Sequence, residues 1–205
     1  MLEAFRCELH AVADFYDQRL VGDLGPLGFR RTSELGRLLP CLPALVAAGI
    51  LNPGRSRFLD LGCGDGRVNV LMSYLAQVSV GVELEDWLLD DYTSLREQLD
   101  ASLESKGLHA VPQNVDLFCG DATEWATHDA IRRATGIAFD EVDIFYTFLT
   151  AHEAFSTLIA ARGKPGCAFL VYGMDRIFPR YEGLDFIESL SPLGEVLAVY
   201  RKPWR

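Results

Sequence analysis

The sequence has no long apolar run. None of its hydrophobic stretches approaches the roughly 18 residues of a membrane-spanning helix, so no membrane partner is expected. It also lacks paired cysteines. Cys7, Cys41, Cys63, Cys119 and Cys167 are odd in number, widely spaced and never in CxxC register. That spacing offers neither a zinc site nor a disulfide framework, and free, mostly buried thiols are the expectation. Positive charge is scarce: 19 Lys and Arg stand against 29 Asp and Glu, for a net charge of −10. Proteins that wrap nucleic acid usually carry a basic footprint, so nucleic acid is not the expected partner. An acidic surface suits a cationic substrate, such as a lysine side chain or another amine. Arg30, Arg31 and Arg37 form the basic cluster of the N-terminal part and read as a solvated helix flank. The first residues carry acids and lack a basic-then-apolar signal pattern, which makes a cytoplasmic location the default. No linker, repeat or low-complexity stretch divides the chain.

What is present is a 205-residue chain, 49% hydrophobic, long enough for one domain with a sizeable core. Residues 1–20 have apolar residues at helical spacing. Gly22 to Gly28 reads as a loop. Thr32-Ser33-Glu34 offers a helix N-cap before Leu35, Leu38, Leu39 and Leu42, with Pro40 and Pro43 predicting a break near 40. Residues 1–50 therefore read as a helical N-terminal extension or lid, and 51–205 as the main domain. From 57 onward, strand and helix patterns alternate: strands 58–61, 78–82, 115–119, 142–148 and 168–172, with helices 66–76, 86–106, 122–134 and 151–162 between them. This alternation predicts an α/β, doubly wound, mostly parallel sheet. Two short strand patterns, 186–189 and 196–200, lie too close for a helical crossover and predict an antiparallel C-terminal hairpin.

The centre of the pattern is Arg57-Phe-Leu-Asp-Leu-Gly-Cys-Gly-Asp-Gly-Arg67. An apolar strand ends in Asp60, a tight turn follows with Gly62, Gly64 and Gly66, and a helix begins. Such a turn brings backbone N–H groups close to a ligand. Carboxylates recur where strands end: Asp60 in the first, Glu83 in the second, and Asp121 after the third. In a doubly wound sheet all three face one crevice. Acids at that rim call for a ligand rich in hydroxyl and amine donors, each such bond contributing on the order of 1.5–3 kcal/mol. A glycine turn with an acid at the second strand's end also fits nicotinamide folds. Here, however, the glycines read GxGxG, with Arg67 in the third-glycine slot. Asp60 also stands where a bound pyrophosphate would be unfavourable. A P-loop is excluded, since no GK[ST] follows.

Asp-Leu-Gly-Cys-Gly-Asp-Gly at 60–66 resembles motif I of class I, seven-β-strand methyltransferases that use S-adenosyl-L-methionine (AdoMet). Glu83, seventeen residues beyond Gly66, matches that family's ribose-binding acid, and Gly120-Asp121-Ala122 resembles its adenine contact. The resemblance implies a seven-stranded Rossmann-like fold and AdoMet as cofactor. The site it implies comprises Asp60, Gly62, Cys63, Gly64, Gly66, Glu83, Leu84, Asp121 and Ala122, with no metal. A narrower likeness, carried by 62–67, 81–88 and 142–149, is to small protein-lysine methyltransferases. In those proteins a threonine of an N-terminal segment closes over the cofactor. Thr32 is the matching residue, with a plain N-cap as the alternative; Trp87 either covers the ribose and adenine or packs in the core. The Asn/Asp-Pro-Pro-Tyr/Phe motif of nucleic-acid amine methyltransferases is absent, its place reading Tyr146-Thr-Phe-Leu-Thr-Ala-His152. Phe145, Tyr146 and Phe148 are candidates to line an acceptor channel, by cation–π contact with a methylammonium group or as sheet core. Tyr146 and His152 are the catalytic candidates, with Tyr172 and Asp175 also at the rim. The implied function is methyl transfer to a protein lysine. The alternatives are a small-molecule acceptor and a non-catalytic AdoMet- or nicotinamide-binding module.

Overall fold

The structure is a computed structural model, and it describes residues 2–25 and 28–204. Helix α1 (Arg6–Asp17) opens the chain, followed by a small hairpin, β1 (Val21–Gly25) and β2 (Gly28–Arg30). Two short helices follow, α2 (Leu35–Leu38) and α3 (Leu42–Ala47), with a 3₁₀ turn at Leu39–Cys41 between them. The main domain runs β3 (Arg57–Leu61), α4 (Arg67–Ser73), β4 (Val78–Glu83), α5 (Trp87–Asp90), α6 (Tyr92–Ser105), β5 (Val115–Cys119) and α7 (Trp125–Thr135). It continues β6 (Ile144–Phe148), α8 (His152–Arg162), β7 (Ala168–Tyr172), β8 (Asp185–Phe186) and β9 (Leu197–Arg201).

The sheet has seven strands in the order β5-β4-β3-β6-β7-β9-β8. Its first five are parallel, and β9 pairs antiparallel with both β7 and β8. The expected doubly wound sheet with an antiparallel C-terminal pair is what forms. From β3 the chain winds outward through β4 to β5, then returns to build β6 and β7 on the other side. Strand order therefore reverses between β3 and β6, the position at which such sheets open a crevice.

Alternation along the strands sorts side chains onto two cores. Phe58, Ile144 and Tyr146 face one layer, shared with Leu9, Val12 and Tyr16 of α1, Leu35 and Leu38 of α2, and Leu42 and Leu45 of α3. Leu59, Leu61, Phe145 and Phe169 face the other, under Ile131 of α7 and Phe155 and Ile159 of α8. The N-terminal helices thus cover one face of the sheet together with α4, every residue of which is buried.

Some local expectations change. The break near Pro40 is present. The loop expected at 22–28 is the β1–β2 hairpin instead, with Pro26 and Leu27 outside the described residues. The helix expected over 86–106 divides at Asp91, where α5 ends and α6 begins. The strand expected at 186–189 ends at Phe186 and gives way to a 3₁₀ turn, Glu188–Leu190. Thr32 is not a helix cap: α2 begins after Glu34, and its first amides, Leu35 and Gly36, both donate at 2.7 Å to the carboxylate of Asp17 at the end of α1. Arg31 and Arg37 are exposed as expected, while the side chain of Arg30 lies outside the described ones. Three of the five cysteines are buried and none is bridged. Among the described residues no helix is long and apolar enough to cross a membrane.

Candidate functional site

A cavity of about 440 Å³ opens at the carboxyl ends of the parallel strands. It is lined by the end of β3 and the turn that follows (60–65), by Glu83 at the end of β4 and Leu84 after it, by Gly120, Asp121 and Ala122 after β5, by Tyr146 to Phe148 of β6, and by Arg31, Thr32 and Ser33 from the N-terminal segment. The structure therefore brings together Asp60, Gly62, Cys63, Gly64, Glu83, Leu84, Asp121, Ala122, Thr32 and Tyr146. Gly66 stands just behind, at the start of α4. Gly62, Gly64 and Gly66 all have positive φ, at 91°, 58° and 76°, a conformation that costs other residues energy. Beside Gly62 and Gly64 a Cβ would meet nothing within 4 Å; the backbone there borders open space a ligand can fill.

The carboxylates differ in what holds them. Glu83 is buried and accepts from backbone amides on both oxygens. Gly64 N donates to Oε2 at 2.8 Å, and Leu84 N and Glu85 N donate to Oε1 at 2.9 and 3.1 Å. The acid thereby ties the glycine turn to the end of β4. Asp121 takes the amide and the hydroxyl of Thr123 on one oxygen, each at 2.7 Å. Those bonds, the hydroxyl's first, hold its carboxyl below the usual range. Asp60 is the exception. It sits mid-sheet, in register with Gly81 on one side and Tyr146 on the other. It is 2% exposed, and its Oδ1 has no hydrogen-bond partner. Burial, reinforced by Glu83 and Asp65, pushes its carboxyl well above the ordinary range. Buried acceptors are normally satisfied, so this oxygen is presented for a donor supplied by a ligand. Burial also pushes the neighbouring Cys63 thiol well up, which keeps it neutral.

A buried ion pair braces the turn. Arg67 donates from Nε and Nη2 to the two oxygens of Asp65, each at 2.9 Å, and both side chains are 4% exposed. Its Nη1 donates to the Thr32 hydroxyl at 2.8 Å, and its guanidinium lies 5.7 Å from the ring centroid of Tyr16. Ser33 and Glu34 are held in turn. The hydroxyls of Ser33 and Tyr146 are 2.6 Å apart, and Glu34 N donates to the Tyr172 hydroxyl at 3.1 Å. Three consecutive residues of the N-terminal segment are thus fastened over the cavity by α4, β6 and β7. In the sequence Arg67 marks only a missing glycine, Ser33 only part of a helix N-cap, and Asp65 carries no separate signal. Ala151, which lines the cavity at the start of α8 with φ 54°, carried none either.

The acceptor-side candidates separate. Phe145 is core, packed on Phe139 with centroids 4.7 Å apart. Tyr146 lines the cavity, but burial, then Asp60, pushes its phenol well above its usual range; it stays protonated and serves as a hydrogen-bond partner. His152 starts α8, and its Nδ1 is 2.6 Å from the Tyr181 hydroxyl. Trp87 is 47% exposed, so it is not the core aromatic weighed above. Phe148 and Tyr172, with centroids 5.7 Å apart, border a second cavity of about 330 Å³ that also includes Asp175 and Glu195. The two cavities share Arg31, Thr32, Arg67 and Phe148. Among the described residues no cluster of His, Cys, Asp or Glu could hold a metal ion.

No family model matches the chain, and no curated protein matches it. Solved structures do. The rRNA methyltransferase aviRa from Streptomyces viridochromogenes is 12% identical with a TM-score of 0.58, covering 92% of each chain. An RNA methyltransferase from Salinibacter ruber, solved with S-adenosyl-L-homocysteine, is 16% identical with a TM-score of 0.51, over 86% of this chain and 95% of that one. The putative methyltransferase yhhF from Escherichia coli is 14% identical with a TM-score of 0.51, over 91% and 98%. At such identities the likeness is one of architecture: the chain has the seven-stranded, Rossmann-like fold of class I methyltransferases.

Proposed function

We propose that the chain is an AdoMet-dependent methyltransferase whose acceptor is a nitrogen on a protein, a lysine side chain. The observation that carries the cofactor is the orphaned Asp60 Oδ1, buried beside a glycine turn whose outer face is open. The residues present fit the ligand chemically. Asp60 would accept from its ammonium, while Arg31 and Arg67, which also line the cavity, would face its carboxylate. Glu83 would accept from the ribose hydroxyls and Asp121 from the adenine amine, with Leu84 and Ala122 against the ring. Bound there, AdoMet supplies an electrophilic methyl carbon on a sulfonium.

The protein's own part is orientation and electrostatics. The clasped segment lines the cavity through Thr32 and Ser33 and would limit water there. Phe148 borders both cavities, and with Tyr172 it would receive an amine by its aromatic faces and steer it toward the first. A lysine must lose a proton before it can attack. Of the carboxylates lining the second cavity, Asp17 is taken by the amides of α2, which leaves Glu34, Asp175 and Glu195 to draw one away, and His152 is engaged with Tyr181. Two of the similar structures are named as RNA methyltransferases, which makes RNA the second reading; the net charge of −10 opposes it.

Calorimetric titration with AdoMet, S-adenosyl-L-homocysteine and NAD tests the cofactor. AdoMet and its product are expected to bind and NAD to fail; tight NAD binding with neither of the others would overturn the reading. Transfer from methyl-labelled AdoMet to fractions of a cell extract tests the acceptor, with label expected in protein. Label confined to RNA or to small molecules would refute the lysine assignment.

A further inference from the structure

The edge of the sheet that carries the cavity differs from the opposite edge in both charge and apolar exposure. Seven large apolar side chains are exposed among the described residues. Four of them stand just beyond the carboxyl ends of parallel strands, Leu84 and Trp87 after β4, Leu149 after β6 and Ile177 after β7, while Trp125 of α7 lies under Arg162 beside Ala138 and Phe139. Their exposures run from 40% for Leu149 to 85% for Ile177. Leu20 borders the second cavity, which leaves only Trp204 at the far end, against Gly166. Single exposed apolar residues need no explanation, but their concentration around one cavity does.

The exposed charges beyond β4, β5 and β6 have one sign. The segment 84–91 exposes Glu85, Asp86, Asp90 and Asp91 and no base. The segments after β5 and β6 add Asp121, Glu124 and Glu153. Exposed arginines occur in the loop after β7, at Arg176 and Arg180, beside Asp175 and Glu182, and in the N-terminal segment, at Arg31 and Arg37, which line the two cavities beside Glu34. The segments leading into the same strands, 52–56, 74–77, 106–114, 136–143 and 163–167, expose only Arg55, Lys106 and Asp140 as full charges. Such a surface repels the phosphate backbone of a nucleic acid and attracts a cationic partner that also has apolar side chains to bury.

We infer that this rim is the docking surface for a basic, apolar-bearing segment of a protein, which the acids attract and Leu84, Trp87, Leu149 and Ile177 grip around the cavity mouth. The inference rests on the methyltransferase reading for its purpose, but not for its test. A short labelled peptide alternating lysine with leucine and a labelled single-stranded RNA oligonucleotide are each titrated with the full chain by fluorescence anisotropy. The peptide is expected to bind, less tightly as salt rises, and in preference to the RNA. The double variant Asp90→Lys, Glu124→Lys is expected to weaken it by about tenfold, and Ile177→Ser to weaken it separately. These positions lie outside the cavity lining, so AdoMet affinity, measured on the same samples, should match the wild type. No peptide binding, preference for RNA, or peptide affinity unchanged in both variants would overturn the inference. Failure of the wild-type chain to bind AdoMet would instead strike the cofactor reading and leave the peptide and RNA arms decisive for the surface.

Discussion

Asp60 is costly in the ligand-free protein. A buried acceptor without a donor is destabilising by about 1–3 kcal/mol, and more when charged. Its folded pKa lies above the unfolded value of 3.8. The fold therefore favours the neutral acid, and that preference contributes fully below 3.8. It is lost as pH rises through the raised folded value. In the ligand-free state, Asp60→Asn removes the titration and is expected to raise stability at neutral pH relative to wild type, with the gain shrinking as pH falls toward 3.8. Urea denaturation at several pH values checks this; equal stability of the two proteins at neutral pH would show that Asp60 is satisfied. Asp65 and Arg67 are the contrary case, a buried pair bonded on both carboxylate oxygens, with Arg19 Nε 3.9 Å from Asp65 Oδ2. Arg67→Ala leaves the buried carboxylate only the more distant Arg19 and is expected to cost about 3 kcal/mol. The double variant Asp65→Asn, Arg67→Met should cost less than the single one.

The 32–34 segment belongs to no regular element, yet three elements hold it. Tyr146→Phe leaves the buried Ser33 hydroxyl without its partner, and Tyr172→Phe frees the Glu34 amide. Each is expected to cost about 1 kcal/mol and to speed hydrogen exchange of amides 32–36 while the β3–β4 pairing stays protected. Unchanged exchange in both variants would mean the clasp is not what orders the segment. Little of this could be read from sequence. The glycine turn and the acids at or near strand ends are local patterns, and they mark Asp60, Glu83 and Asp121 because the parallel topology gathers the carboxyl ends of β3, β4 and β5 at one crevice. The clasp depends on pairings between residues far apart in sequence, such as Ser33 with Tyr146 and Asp17 with the amides of α2, which no local period encodes. The β1–β2 hairpin was missed because a glycine-rich stretch reads equally well as a loop, and helix 86–106 hid its division at Asp91 inside a continuous apolar pattern.

For the whole molecule, the reversal of strand order between β3 and β6 opens the crevice. The N-terminal helices share a core with one sheet face, residues 31–33 before α2 line the crevice, and acidic charge gathers beyond β4, β5 and β6 at that same edge. The fold was legible because strands and helices alternate from residue 57 onward with turn residues between them; the acceptor was not, because loops and surface set it. The central claim is that Asp60 accepts the cationic end of the cofactor, and a calorimetric titration of wild type and Asp60→Asn with AdoMet at neutral pH tests it most directly. Loss of a charge-assisted bond of about 1.5–3 kcal/mol predicts binding by the wild type and at least about tenfold weaker binding by Asp60→Asn, in a variant that remains folded. Equal affinity in the two proteins would contradict the account.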